Sequence, residues 1–184
     1  MKFKEAQSMA IHKFDTEDFL TRIREEDDSM LKHLPILKKI NEKGLLTTGS
    51  QAGRKQKGIS FINNKPYVME ERAYIEGFMP YKNAVSFLKK MNLHTDKNAI
   101  NVNVIDNPNF LKSELDIPLT ILTQNNKTNI ETHMSLSLPI HILNMFKKEH
   151  KINKGENVLY VFCWDPVWNR DASSGLFADV LRNL

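Results

Sequence analysis

Two stretches of this chain combine side chains that could bind a small ligand. The first, LLTTGSQAGRKQKG at residues 45–58, opens like a strand and then becomes rich in glycine and basic residues. Glycines let a ligand come close to the backbone, and exposed N–H groups in such a turn form a nest for an anion. Donors, acceptors and positive charges complete the motif at Thr48, Ser50, Gln51, Arg54 and Lys55. The chemistry indicated is the binding of a phosphate or a carboxylate.

A second candidate stretch, FCWDPVWNRD at residues 162–171, follows an apolar run typical of a strand buried on both faces. Both tryptophans of the chain lie here, and their flat faces suit the stacking of a base or a cation. We expect four residues of this stretch to face the first one: Trp164, Asp165, Trp168 and Arg170. Arg72 joins the candidate site because a guanidinium can hold a carboxylate or phosphate through two hydrogen bonds.

Each candidate also has a purely structural explanation. The first stretch matches neither G-x-x-x-x-G-K-[ST] nor G-x-G-x-x-G, and no helix is predicted directly after it, so it could be a turn with a solvated basic flank. Arg72 could form an ion pair with Glu71 or Glu76. The tryptophans could cover one end of the core while Asp165 caps a turn. The sequence alone does not decide between the ligand-binding and the structural explanation of these residues.

Catalytic and metal chemistry have less support from the residues. The single cysteine, Cys163, lies in the apolar run, where a thiol is usually inert packing. The six histidines show neither H-x-x-x-H nor H-E-x-x-H spacing, and one cysteine cannot supply a zinc-binding pair. We expect no catalytic residues, no metal and no cofactor. An enzyme using Asp165 or Glu71 as a base is the least favoured function.

Helical and strand patterns alternate along most of the chain and would position these residues. Apolar spacing predicts helices over 17–26, from Ser29 or Pro35 to Lys43, and over 80–91, 139–150 and 174–184. Strands are predicted near 45–48, 73–78, 99–105, 117–122, 129–138 and 157–164, with Ile130 facing inward. A hairpin is predicted over 59–68 around a turn at Asn63–Pro66.

This alternation predicts an α/β fold with a mixed sheet flanked by helices and a β-hairpin excursion near 59–68. The length of 184 residues suits a single domain over 14–184, preceded by a loose N-terminal arm at 1–13 that has no firm period. Hydrophobic residues make up 41% of the chain, which is enough to build a core.

Composition and charge limit the classes of partner. The longest apolar runs are far shorter than the roughly 20 residues of a bilayer span, so we expect no membrane partner. The first residues lack the apolar segment of a signal peptide, and a lone cysteine cannot form an internal disulfide, so we expect a cytoplasmic protein. The net charge of +4 permits but does not require nucleic-acid contact. It is uneven, because residues 17–28 are acidic and residues 54–57 are basic.

Two segments carry a family resemblance: NEKGLLTTGSQAG at 41–53 and ERAYIEGFM at 71–79. They resemble an uncharacterised family of large DNA viruses, phages and some bacteria. The matching residues are Asn41, Gly44, Thr48, Ser50, Gln51 and Gly53, followed by Glu71, Arg72, Ala73, Tyr74, Gly77 and Phe78. Ala52 stands where the family has proline. The resemblance implies a viral origin, hence a place in host cytoplasm or a virion, and it carries no known chemistry.

Two functions are therefore carried forward from the sequence. The first is a binding module that holds a small anionic ligand, for example a nucleotide, between the two stretches described above. The alternative is a structural or interaction protein, for example a virion component, that contacts a protein partner through the 59–68 hairpin, since a hairpin edge can pair with another chain. The oligomeric state is open.

Overall fold

The computed structural model describes residues 1–92, 101–105, 117–133 and 140–184. The helices are α1 (Phe3–Lys13), α2 (Glu17–Asp27), a 3-10 helix (Asp28–His33), α3 (Leu34–Glu42), α4 (Tyr81–Asn92), α5 (Ile140–Glu149) and α6 (Leu176–Asn183). The strands are β1 (Leu46–Gln51), β2 (Lys55–Ile59), β3 (Pro66–Glu71), β4 (Tyr74–Pro80), β5 (Asn101–Ile105), β6 (Ile117–Gln124), β7 (Lys127–His133) and β8 (Val158–Trp164). The predicted α/β class is confirmed. The part of the predicted 129–138 strand beyond His133 lies outside the described residues.

The strands form two four-stranded sheets where one mixed sheet was predicted. The first sheet has the order β1-β4-β8-β5 and the second has the order β2-β3-β6-β7. All six pairings between the described strands are antiparallel. Local periodicity identifies strands but not the strands with which they pair. The division into two sheets was therefore not predicted from the sequence.

Residues 46–78 form one long hairpin that is bent in the middle and belongs to both sheets. Gln51 lies opposite Tyr74 in the first sheet, and Lys55 lies opposite Glu70 in the second, so the register is the same on both sides of the bend. The hairpin predicted at 59–68 is therefore the end of a longer element, and it supplies half of the second sheet rather than an excursion from a single one.

The core lies on both faces of the first sheet. Leu159, Val161 and Cys163 of β8 face a cluster built with α3, α4 and α6. Tyr160, on the opposite face, packs with Phe78 of β4 and with α1. Strand β8 is thus buried on both sides, as its nearly continuous apolar run predicted.

Residues 1–13 are not the loose arm that the sequence suggested. They contain helix α1, whose Phe3 and Ala6 are buried against the first sheet. The side-chain amide of Gln7 donates to the carbonyl of Asn41 in α3, which fixes the helix further. Only a short apolar stripe makes these contacts, so the helical period was too weak to recognise in the sequence.

Gly53 marks the bend of the hairpin and a very close approach of two backbones. A Cβ atom at this position would lie 2.2 Å from the carbonyl oxygen of Arg170. No other residue fits here without moving the segment that follows β8. Gly155, by contrast, has no heavy atom within 4 Å of the corresponding position.

We expect Gly53→Ala to lower the free energy of unfolding by about 1–3 kcal/mol, because the added methyl group overpacks a backbone contact. Gly155→Ala is the matched control and should leave stability nearly unchanged. Urea unfolding followed by tryptophan fluorescence measures both. Equal midpoints for the two variants would show that the bend tolerates a side chain.

Candidate functional site

The two candidate stretches meet at the bend of the hairpin. The backbone N–H of Asp165 donates to the carbonyl of Ala73 at 2.9 Å, and that of Asn169 donates to the carbonyl of Glu71 at 2.8 Å. Together with the contact between Gly53 and Arg170, these bonds join residues 52–54, 71–73 and 165–170 into one junction. The structure thus brings together the two stretches that were expected to face each other.

Arg54 lies at this junction with its guanidinium directed at protein carboxylates. Its Nε donates to Glu71 at 2.6 Å, and one terminal nitrogen donates to Asp27 and to the Ser29 hydroxyl at 2.7 and 2.6 Å. Burial alone would lower the pKa of Arg54, but Glu71 and Asp27 raise it. The pKa of Glu71 is raised by burial despite its basic partner. Arg54 therefore connects the helices to the second sheet.

Asp165 and Arg170 form a second ion pair within the loop after β8. The Asp165 carboxylate is completely buried, accepts a hydrogen bond from Arg170 Nε at 2.5 Å, and also accepts the N–H of Val167 at 2.8 Å. The carboxylate thus closes the turn, as in the structural explanation considered for the sequence. Both of its oxygens are engaged by the chain itself.

The tryptophans and Arg72 also contact other parts of the chain. The Arg72 guanidinium lies 4.3 Å from the ring centroid of Trp168, and one of its nitrogens donates to the carbonyl of Pro118 at 3.2 Å. Burial lowers the pKa of Arg72. Trp164 stacks on Phe162 with centroids 5.6 Å apart. The stacking that we expected for a ligand is made by the protein's own side chains.

Lys55 completes the basic group and forms an ion pair with Glu70 at 2.7 Å. Seven of the ten predicted site residues thus lie at or beside this junction and contact other residues of the chain: Arg54, Lys55, Arg72, Trp164, Asp165, Trp168 and Arg170. The other three, Thr48, Ser50 and Gln51, line a cleft elsewhere on β1.

This β1 cleft has a volume of about 410 Å³ and lies between β1 and helices α1 to α3. The five consecutive residues from Thr47 to Gln51 all line it. Neighbouring strand residues point to opposite faces of a sheet, so only the edge of a strand presents five in a row. Strand β1 is the end strand of the first sheet among the described strands. Its outer edge, which pairs with no other described strand, therefore faces the cleft, and the N–H of Thr47 is bonded to the Asn41 side chain.

The wall opposite β1 is apolar. Its main contributors are Phe14, Phe19, Ile23, Met30, Leu34 and Leu37. Helix α2 supplies two of these, and both are partly buried, so they pack against the core cluster and also border the cleft. Apolar spacing in this segment predicted the helix but not the surface that its apolar side faces. A stripe on an otherwise polar helix was the signal that could have indicated this wall.

The charged side chains that α2 contributes to the cleft are mostly acidic. Glu26, Asp27 and Glu71 line the cleft, together with the bases Lys13, Arg22 and His150. Glu26 and Asp27 form the acidic rim of the cleft, and residues 17–28 around them contain six carboxylates and two guanidinium groups, an excess of four negative charges. Arg22 and Arg54 already pair with Glu26 and Asp27, and the remaining negative charge of the segment favours a cation over an anion at this rim.

Hydrogen bonds hold the β1 edge in position. The Asn41 side chain accepts from the N–H of Thr47 at 3.0 Å and donates to the Thr47 hydroxyl at 2.8 Å. The hydroxyls of Thr48 and Tyr160 lie 3.0 Å apart, and Gln51 donates to the carbonyl of Arg72 at 3.0 Å. A β-bulge between Thr47 and Gly49 bends the strand here. The edge is a preformed surface.

The loop after β8 is also tied to the 3-10 helix by His33, which is completely buried. Its Nδ1 lies 2.5 Å from the Ser173 hydroxyl, and its ring meets Phe177 edge-on. Burial lowers the pKa of His33, although Asp171 acts in the opposite direction. The folded protein therefore prefers the neutral imidazole.

No protein-family model and no curated protein matches this chain, so its function has to be inferred from the geometry of the site. Within the described ranges, no group of three or more His, Cys, Asp or Glu side chains could hold a metal ion. None of the helices in those ranges has the length and apolarity to cross a bilayer.

We expect Arg54→Met to lower the free energy of unfolding by about 3 kcal/mol, because it leaves the carboxylate of Glu71 buried without a partner. Adding Glu71→Gln to this variant should restore part of the loss. Lys55→Met is the matched control and should cost less than about 1 kcal/mol, since its ion pair is exposed. Thermal and urea unfolding measure all three. If the Arg54→Met protein were as stable as the wild type, the ion pairs of Arg54 would not stabilise the fold, and its guanidinium would be available to bind a ligand.

The stability of the protein should fall as the pH drops below 6.5, the ordinary pKa of histidine. His33 is neutral when folded, so the unfolded state takes up more protons in this range. We expect a flatter pH dependence of the urea midpoint in His33→Gln. Burial also lowers the pKa of His150, so the double variant with His150→Gln should be flatter still. An unchanged slope in His33→Gln would contradict the assignment.

Proposed function

We propose that this protein is an interaction protein without catalytic activity, whose β1 cleft holds an apolar and positively charged segment of a partner. The observation that carries the proposal is the combination, in one cleft, of a free strand edge, an apolar wall and an acidic rim. An enzyme is less well supported, because both buried acids at the junction are engaged by the chain: Asp165 closes a turn and Glu71 pairs with Arg54.

The free edge favours an extended segment as the occupant. An added strand receives main-chain hydrogen bonds from the edge, while pockets for alternate side chains give specificity. Here the apolar wall lies directly across from the edge and can accept such side chains. A volume of about 410 Å³ is also within the range of binding sites for small molecules. Shape alone therefore allows either kind of occupant.

Charge favours an extended cationic segment over a small anion as the occupant. A nucleotide or another anion would need the guanidinium groups of Arg54 and Arg170, but both are paired with carboxylates of the chain. The same anion would also lie close to the acidic residues 17–28. A segment that carries lysine or arginine meets the opposite sign along this rim. The anionic ligand stays a prediction with less geometric support than the cationic segment.

An interaction function suits the viral origin that the family resemblance implies. A virion component or a protein acting in host cytoplasm would each use a cleft that receives a partner. Of the two functions expected from the sequence, the interaction protein is the one that the contacts of the candidate residues favour.

The β1 cleft should bind a dansyl-labelled peptide amide of sequence Lys-Leu-Val-Lys at least roughly tenfold more tightly than the analogue Glu-Leu-Val-Glu, equivalent to about 1.4 kcal/mol. Ile23→Lys should abolish this preference, because it places a cation in the apolar wall. Thr21→Lys is the matched control, since it adds the same charge to an exposed position of α2. Fluorescence anisotropy measures the affinities.

Equal binding of both peptides, or normal binding by Ile23→Lys, would contradict a cationic segment in this cleft. Native mass spectrometry of freshly purified protein supplies the complementary measurement. A retained nucleotide that Ile23→Lys fails to displace would favour the small anionic ligand instead.

A further inference from the structure

The far end of the bent hairpin carries the most exposed large apolar side chains in the described part of the chain. Ile62 is 97% exposed, Phe61 is fully exposed, and Ile59 is 62% exposed. We call residues 59–66 the hairpin tip. Single exposed apolar residues are common on protein surfaces, but three within four positions mark an interaction site.

The hairpin tip is held in one conformation by its own hydrogen bonds. The N–H of Ser60 donates to the carbonyl of Lys65 at 2.9 Å, and the N–H of Asn64 donates to the carbonyl of Ser60 at 2.8 Å. The side-chain amides of Asn63 and Gln124 donate to each other at 2.9 and 3.2 Å, which joins the tip to β6. Phe61 and Ile62 are thus presented on a preorganised turn, which lowers the entropic cost of binding.

The surroundings of the hairpin tip are basic. Exposed lysines lie at 57, 65 and 127, and the two segments that form this end of the second sheet, 57–68 and 121–130, contain no carboxylate. The tip is therefore an apolar projection with positive charge around it. Its chemistry is the complement of the β1 cleft, which has an apolar wall with an acidic rim.

We propose that the β1 cleft of one copy of this chain receives the hairpin tip of a second copy. This inference rests on the proposed function and names its partner. Phe61 and Ile62 would pack against the apolar wall near Ile23, and the lysines around the tip would face the rim at Glu26 and Asp27. Both the apolar and the electrostatic parts of the contact are then matched.

A chain cannot fill its own cleft in this way. Strand β2 begins directly after Arg54, whose partners Asp27 and Glu71 line the cleft, and its first four residues lead away over roughly 13 Å before the tip begins. The contact therefore joins two different surfaces of two copies. Such a head-to-tail contact leaves a free tip at one end and a free cleft at the other, so it continues into a ring or a filament.

Sedimentation velocity with two variants tests the proposal. The tip variant combines Phe61→Ser with Ile62→Ser, and the cleft variant is Ile23→Lys. Wild-type protein should form larger species as its concentration rises, while each variant alone stays monomeric. An equimolar mixture of the variants should form a dimer and nothing larger, because it contains one intact tip and one intact cleft. Ile130→Ser and Thr21→Lys are the controls, at exposed positions outside both surfaces, and should assemble like the wild type.

Three results would overturn the proposal: a wild type that is monomeric at every concentration, assembly that survives in either variant, or a variant mixture that stays monomeric. The second would indicate a contact between like surfaces, and the last would show that one tip in one cleft does not hold two copies together. Circular dichroism of each variant establishes that it is folded. The dansyl peptides test the proposed function separately. If the wild type is monomeric but binds the cationic peptide, the proposed function stands and only the second copy is excluded as the partner.

Discussion

The structure depends most on one guanidinium group that is shared by two carboxylates. Arg54 follows the bend of the long hairpin and reaches Glu71 on β3 and Asp27 at the end of α2. Both acids line the β1 cleft, so the same interaction that joins the second sheet to the helices also sets the separation of the cleft walls. An unpaired carboxylate at this depth is strongly unfavourable. The ion pairs therefore couple stability to the shape of the site.

The sequence predicted what local periodicity can predict. Most helices and strands were expected at the right places, and the apolar run of β8 indicated burial on both faces. Contacts between residues that are distant in the sequence were not predictable. For example, nothing in the sequence of α2 or of the hairpin indicates that Arg54 pairs with Asp27. The alternation of apolar and polar residues also gave a wrong prediction for Ile130. Its side chain was expected to face inward, but it is 58% exposed. A pattern identifies residues that share a face, but it does not show whether anything covers that face.

The positions that carry the family resemblance mostly hold the scaffold together. Asn41 fixes the start of β1, and Gly53 permits the bend. Ala73 is completely buried at the junction, and Gly77 lies against the backbone at Leu46. Residue types that looked like a nest for an anion are therefore explained by a hairpin shared between two sheets.

The bent hairpin also has a consequence for the order in which the chain folds. The pairings at its far end are local, since Ile59 lies opposite Pro66 across a short turn. Strands β6 and β7, which complete the second sheet, end at His133, before β8 begins. The first sheet needs β8, whose Trp164 pairs with Tyr74 across about half of the sequence. Closing such a long loop is slow. During synthesis, all four strands of the second sheet are made before β8, the strand that the first sheet requires.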